Sequence, residues 1–163
     1  MERDPVGLGA GWVTDSLPTE FVEPAVRLSV DDLNVVVAHC LDGLPHEACG
    51  LLAGPNDSDG TPTGEVKRVY PCANADASAI TYTVDSRDML RAMRDAEANG
   101  VEIVGVWHSH THTDAYPSAT DVRQAVDPAW LYVIVSLRDV APMTRAYRIR
   151  DGRIDEVPVV VDK

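Results

Sequence analysis

His108-Ser-His110-Thr-His112-Thr-Asp-Ala-Tyr-Pro-Ser118-Ala-Thr-Asp121 has the skeleton H-x-H, seven residues, then S-x-x-D. Alternate residues of a strand point to one face, so His108 and His110 offer their imidazoles together, with Cα atoms about 6.6 Å apart. If Ser118 caps a helix, Asp121 falls in its first turn and can swing back as a third ligand. Two neutral imidazoles and a carboxylate suit zinc, one ion per chain, and three protein ligands leave a fourth position for water. An open position marks a catalytic site, because a structural site is closed by four ligands.

A second segment supplies what that site lacks. Pro45-His46-Glu47-Ala48-Cys49-Gly50-Leu51-Leu52-Ala53-Gly54 puts a glutamate at the edge of an apolar, glycine-bounded run that reads as a buried strand. A carboxylate there loses solvation, which raises its pKa toward the range useful for a general base. Taken together, Glu47 with His108, His110, Ser118 and Asp121 resembles the JAMM metalloprotease family (the MPN+ domain). That family's pattern is a distant glutamate followed by H-[ST]-H-x7-S-x-x-D, and every element stands here at that spacing.

The Glu47-Ala-Cys-Gly-Leu-Leu-Ala-Gly54 segment, the Tyr116-Pro-Ser-Ala-Thr-Asp121 segment and the Tyr147-Arg-Ile-Arg-Asp-Gly152 hairpin resemble the short bacterial branch of the family. The likeness implies an α/β fold: one JAMM/MPN-like domain with a mixed β-sheet flanked by helices. It implies zinc on His108, His110 and Asp121, Glu47 as the base that activates water, and Ser118 helping to hold the oxyanion. The implied substrate is a small ubiquitin-like sulfur-carrier protein with a Gly-Gly C-terminus, from which one appended residue, cysteine in the best-known case, is released. Removal of a ubiquitin-like modifier from protein lysines would use the same residues. A non-catalytic scaffold is the remaining reading, and such family members normally lack a ligand that is present here. Related domains often pair, so the likeness also implies a homodimer, with no dimer face indicated.

Bulk properties agree. The 163 residues are one domain's worth, with 26 acidic and 14 basic residues and a formal charge of −12. Such a surface repels nucleic acid and anionic membranes. No run approaches the ~20 apolar residues of a membrane span, and no export signal is evident. Cys40, Cys49 and Cys72 form no C-x-x-C pair, which favours reduced, buried thiols in the cytoplasm.

Outward from the two motifs, residues 1–27 read as a polar N-terminal arm, flexible or loosely packed, and 28–163 as the domain. Ser29 with Asp32 opens a helix toward Leu41. Strands are expected at Leu51–Ala53, near Glu65–Tyr70 and at Ile80–Val84. Asp85–Asn99 reads as an amphipathic helix with Met89, Ala92, Met93 and Ala96 on its core face. Val101–His108 and Trp130–Leu137 follow as strands. Met143–Arg150 and Arg153–Val161, joined by Asp151-Gly152, read as a closing hairpin.

Duller readings compete at each residue. Ser118 is needed as a cap on structural grounds alone. Glu47 taken alone is an exposed loop acid. His112 continues the alternation but lies outside the family pattern and reads as a rim residue, since a fourth protein ligand would displace water. His46 points away from Glu47 on an extended backbone. Cys49 reads as core packing, and Tyr116 and Trp107 as cleft-lining. A zinc deaminase would need H-x-E and P-C-x-x-C, and a serine hydrolase G-x-S-x-G; neither spacing occurs.

Overall fold

The computed structural model describes residues 25–163. In chain order it comprises β1 (Val26–Ser29), α1 (Val30–Gly43), β2 (Cys49–Gly54), β3 (Arg68–Cys72), α2 (Ser86–Ala98) and β4 (Glu102–His110). There follow α3 (Ala119–Gln124), β5 (Leu131–Ser136), β6 (Met143–Arg150), β7 (Arg153–Val157) and β8 (Val159–Asp162). Six strands form a mixed sheet in the order β3-β2-β4-β5-β6-β7, and β1 pairs with β8 in a separate parallel ribbon. The expected α/β domain with a mixed sheet and flanking helices is the observed one.

Only β4 and β5 run parallel within the large sheet; its other neighbours are antiparallel. Parallel neighbours need a long crossover, because the chain must return to the end from which it started. Residues 111–130 make that crossover and contain α3. The topology therefore lays Ser118 and Asp121 back over the end of β4 that carries the histidines.

β2 and β5 are buried along their whole length, which their unbroken apolar runs require. One face of the sheet packs Leu52, Trp107, Leu131, Val133 and Val135 against Val26, Val36 and Cys40 of β1 and α1. The other packs Leu51, Val106, Tyr132, Ile134 and Tyr147 against Ala92 of α2 and Ala115 of the crossover. Gly50 is obligatory between β2 and β4, since a Cβ there would collide with the Trp107 ring and the Tyr70 carbonyl.

Several boundaries differ from the sequence expectation. Ile80–Val84 is not a strand: Val84 makes an isolated bridge to Asn74, and the Asn74 side chain bonds the Thr81 carbonyl and the Thr83 N–H. That amide competes with a ladder for the backbone groups. The strand expected near Glu65–Tyr70 is shifted to Arg68–Cys72, with Glu65 in a single bridge to Arg27. The last strand breaks at Pro158, which lacks an N–H; β8 leaves the sheet there and pairs with β1, itself not anticipated. Ala92 and Ala96 of α2 are buried as expected, but Met93 is 52 % exposed, because the helix seats its small residues on the sheet. Of the arm expected over residues 1–27, the first 24 lie outside the described residues, and Val26 and Arg27 are in β1. No helix among the described residues is long and apolar enough to cross a membrane.

Candidate metal centre

β4 delivers His108 and His110 on one face and buries both. Trp107 and Ser109 alternate to the opposite face. There the Ser109 hydroxyl accepts the Ala48 N–H at 2.8 Å, tying β2 to β4. In that antiparallel ladder Cys49 stands opposite His108, so continuing the register two residues sets Glu47 across from His110. Glu47 itself is only 5 % exposed. The loop after β3 holds its main chain: the Glu47 N–H donates to the Ser78 carbonyl, and the Asn74 amide donates to the Glu47 carbonyl.

α3 supplies the fourth group. The Ser118 hydroxyl accepts the Asp121 N–H at 3.1 Å, and Asp121 Oδ2 accepts the Ser118 N–H at 2.9 Å, a reciprocal capping box. The same Oδ2 lies 3.0 Å from His110 Nε2 and 3.3 Å from His108 Nε2, and the two Nε2 atoms are 3.1 Å apart. Donor atoms of Glu47, His108 and His110 all fall within 4.8 Å of one another. The structure thus brings all five sequence-derived residues to one place.

Hydrogen bonding shows what the cluster is built to hold. His110 Nδ1 donates to the Asp114 carbonyl at 2.7 Å, which leaves Nε2 of the neutral ring as an acceptor. That acceptor faces the acceptor Oδ2 of Asp121, so an extra proton or a cation must lie between them. A tetrahedral zinc with bonds of about 2.0–2.1 Å spaces its ligands about 3.3–3.4 Å apart, close to the triangle formed here. Glu47 Oε2 is buried and has no partner among the described residues, free to meet a bound water. These residues fit a metal ion.

Burial and neighbouring charges tune each group. Burial raises the Glu47 pKa to about 7, His110 opposing the rise and Asp121 adding to it. Burial lowers that of His108, while bonding to Asp121 opposes the fall. Burial also works against charge on His110, but its bonds to Asp121 and the Asp114 carbonyl outweigh it and the pKa rises. The Asp121 carboxyl feels a burial penalty that the two imidazoles overcome, leaving it far below the usual carboxylate range.

Most other residues weighed in the sequence lie elsewhere. His46 and His112 are exposed, and His112 bonds the neighbouring Thr111 hydroxyl. Cys49 is in the core, and all three cysteines are free and buried. Trp107 does not line the cleft: strand alternation turns it to the far face, where it is fully buried. Tyr116 is exposed and meets Tyr147 edge-on. Three contributors carried no local signal. Tyr82 stacks on His108 at 4.3 Å, Asn74 anchors the Glu47 carbonyl, and Asp114 fixes His110 through its main chain.

Comparison with known proteins gives this arrangement its class, a hydrolase on the JAB/MPN fold. Residues 29–150 match the family described as prokaryotic homologs of the JAB domain, and the chain belongs to that family. It is 44 % identical over 136 residues to the CysO-cysteine peptidase of Mycobacterium tuberculosis, covering 82 % of this chain and 89 % of that one. It is 34 % identical over 127 residues to a probable TtuB-protein conjugate cleaving protease of Thermus thermophilus, covering 76 % and 74 %. The solution structure of a Desulfitobacterium hafniense protein superposes with a TM-score of 0.75 at 37 % identity, over 84 % of this chain and 92 % of that one.

Proposed function

We propose that the protein is a zinc-dependent peptidase that cuts between the C-terminal glycine of a ubiquitin-like sulfur-carrier protein and one appended residue, cysteine foremost. One observation carries the reading: the His108, His110 and Asp121 donors converge at 3.0–3.3 Å beside a buried glutamate with an oxygen unpartnered among the described residues. The similarity to a CysO-cysteine peptidase supports the substrate class. A carrier tail ending in Gly-Gly suits the site, because glycines leave the scissile carbonyl open to attack. Three buried free thiols favour a reducing, cytoplasmic setting.

In this reading His108, His110 and Asp121 hold the ion, which when bound supplies Lewis acidity and an open coordination position. Glu47 accepts a proton from the attacking water and later delivers it to the leaving nitrogen, so that amide and water become carboxylate and amine. The Ser118 hydroxyl, whose oxygen accepts from the helix, keeps its hydrogen to donate to the developing oxyanion. Asp114 and Tyr82 hold the two imidazoles in orientation.

A second reading, cleavage of a modifier from protein lysines, is supported by the similarity to a conjugate-cleaving protease. Intact-mass spectrometry of a carrier protein bearing a C-terminal cysteine, incubated with zinc-loaded protein, tests the first. Loss of one cysteine mass that Glu47→Gln abolishes is the expected result. An intact adduct, with lysine conjugates cleaved instead, would favour the second.

A further inference from the structure

The peptidase reading leaves the recognition of the released residue unassigned, and the structure offers a place for it. Sheet register sets His110, Ser136 and Met143 in one row across β4, β5 and β6, and His108, Ile134 and Arg145 in the row two residues along. Strands lie about 4.8 Å apart, so the Arg145 Cα is about 10 Å from that of His108. Residues paired in register share a face, and Arg145 is therefore on the face that carries the metal-ligating imidazole. A cavity of about 380 Å³ opens there, lined by Tyr116, Ser136, Asp139, Met143 and Arg145 together with Asp114. Its wall toward the histidines is the Asp114–Tyr116 segment, whose carbonyl groups hold His110 Nδ1 and the Tyr147 hydroxyl.

Arg145 lines this cavity and Arg138 binds the Asp114 side chain at its edge, and the two arginines differ in availability. Arg138 is committed to Asp114, with Nη1 donating to Oδ1 at 2.8 Å. Arg145 reaches its one ion-pair partner among the described residues, Glu156, only at 3.9 Å, and its side chain stays half exposed. A chain of net charge −12 repels a free carboxylate in the absence of a local cation. A peptidase that releases a single C-terminal residue faces that repulsion, because the residue's own carboxylate sits two bonds, about 2.5 Å, from the scissile nitrogen. A lysine nitrogen freed from a conjugate has no such group beside it.

We propose that Arg145 receives the α-carboxylate of the residue to be released, with the adjoining cavity housing that residue's side chain. The assignment rests on the peptidase reading and deepens it. Arg145 is then a specificity residue that favours a free C-terminus over an internal or lysine-linked bond, through charge-assisted hydrogen bonds from its guanidinium.

The test uses the zinc-loaded full chain and a synthetic decapeptide ending in Gly-Gly-Cys, prepared as the free acid and as the carboxamide. Calorimetric binding to the Glu47→Gln variant is measured alongside turnover by the wild type, with an ε-linked Gly-Gly-lysine peptide as third substrate. The acid is expected to bind about tenfold tighter than the amide. Arg145→Ala should remove that difference without moving amide affinity, and Arg145→Lys should restore part of it. Equal binding of acid and amide, or equal weakening of both in Arg145→Ala, would overturn the assignment. Cleavage of the ε-linked peptide alone would instead overturn the peptidase reading. An acid preference that still depended on Arg145 would then uphold the carboxylate site by itself.

Discussion

In the proposed mechanism the chemistry turns on Glu47, whose environment sets opposite demands on stability and on rate. Burial raises its pKa to about 7 from an ordinary 4.5. Between those values the folded chain holds a proton that the unfolded chain has lost, so the metal-free protein loses stability as pH rises through this window. Glu47→Gln has no such proton, and its metal-free form should gain more in Tm over wild type at pH 8 than at pH 5. Equal gains at both pH values in thermal melts would remove the burial argument. Asp121 behaves in the reverse sense, because its depressed pKa gives stability above the ordinary carboxylate range that is lost as pH falls. As the proposed base, Glu47 must be ionised to accept a proton. Activity should therefore fall on the acid side of neutrality, and Glu47→Gln should lose roughly 10²- to 10⁴-fold in turnover while still binding zinc. Metal analysis beside steady-state kinetics separates those two effects.

At the scale of elements, α3 and β2 each combine a structural duty with a proposed functional one. Ser118 caps α3 and stands beside the proposed metal ligand Asp121. Replacing it by alanine removes the cap at a cost of about 1 kcal/mol, whereas glycine costs only a few tenths. Ser118→Gly thus isolates the hydroxyl. Turnover is expected to drop about 10²-fold or more with little change in Tm, as for the loss of one oxyanion donor. Unchanged turnover would leave Ser118 a cap alone. In β2, Gly50 lets the strand approach β4 closely enough to bring Glu47 opposite His110. Gly50→Ala should cost about 1–3 kcal/mol through overpacking against Trp107, read as a lower urea midpoint with unchanged slope. Asn74 serves the same end through its two carbonyl bonds, to Glu47 and to Thr81.

For the molecule as a whole, the metal ion is expected to act as a staple between β4 and the β4–β5 crossover. Its proposed ligands come from two segments that otherwise meet through the packing of Ala115 and Val122 near Val106 and through the approach of Asp121 to the two imidazoles. An ion present at about a thousand times its Kd adds roughly 4 kcal/mol to stability. Chelation should lower Tm by several degrees, and one equivalent of zinc should restore it along with activity. A melt indifferent to chelator in protein shown to carry zinc would place the ion elsewhere.

Much of the site was legible along the chain, because its ligands sit at spacings that local geometry translates directly. The i, i+2 pair of a strand sets His108 beside His110, and the N-cap/N3 pair of a helix sets Ser118 beside Asp121, before any tertiary fold is known. The α/β class and the buried thiols followed from periodicity and composition in the same way. Tertiary structure alone decided what depends on strand pairing and on contacts between distant segments. The β2–β4 register sets Glu47 across from His110, and the parallel β4–β5 pairing forces the crossover that carries Asp121 back. Tyr82 over His108, the Asp114 carbonyl under His110 and the row that aligns Arg145 with the site arise likewise. Such contacts join residues far apart in sequence, or use main-chain groups that every residue possesses, and leave no mark on side-chain pattern. Pro158 and the Asn74 loop overrode local strand propensity for the same reason: a missing donor and a competing side-chain amide count only where a ladder would need those groups.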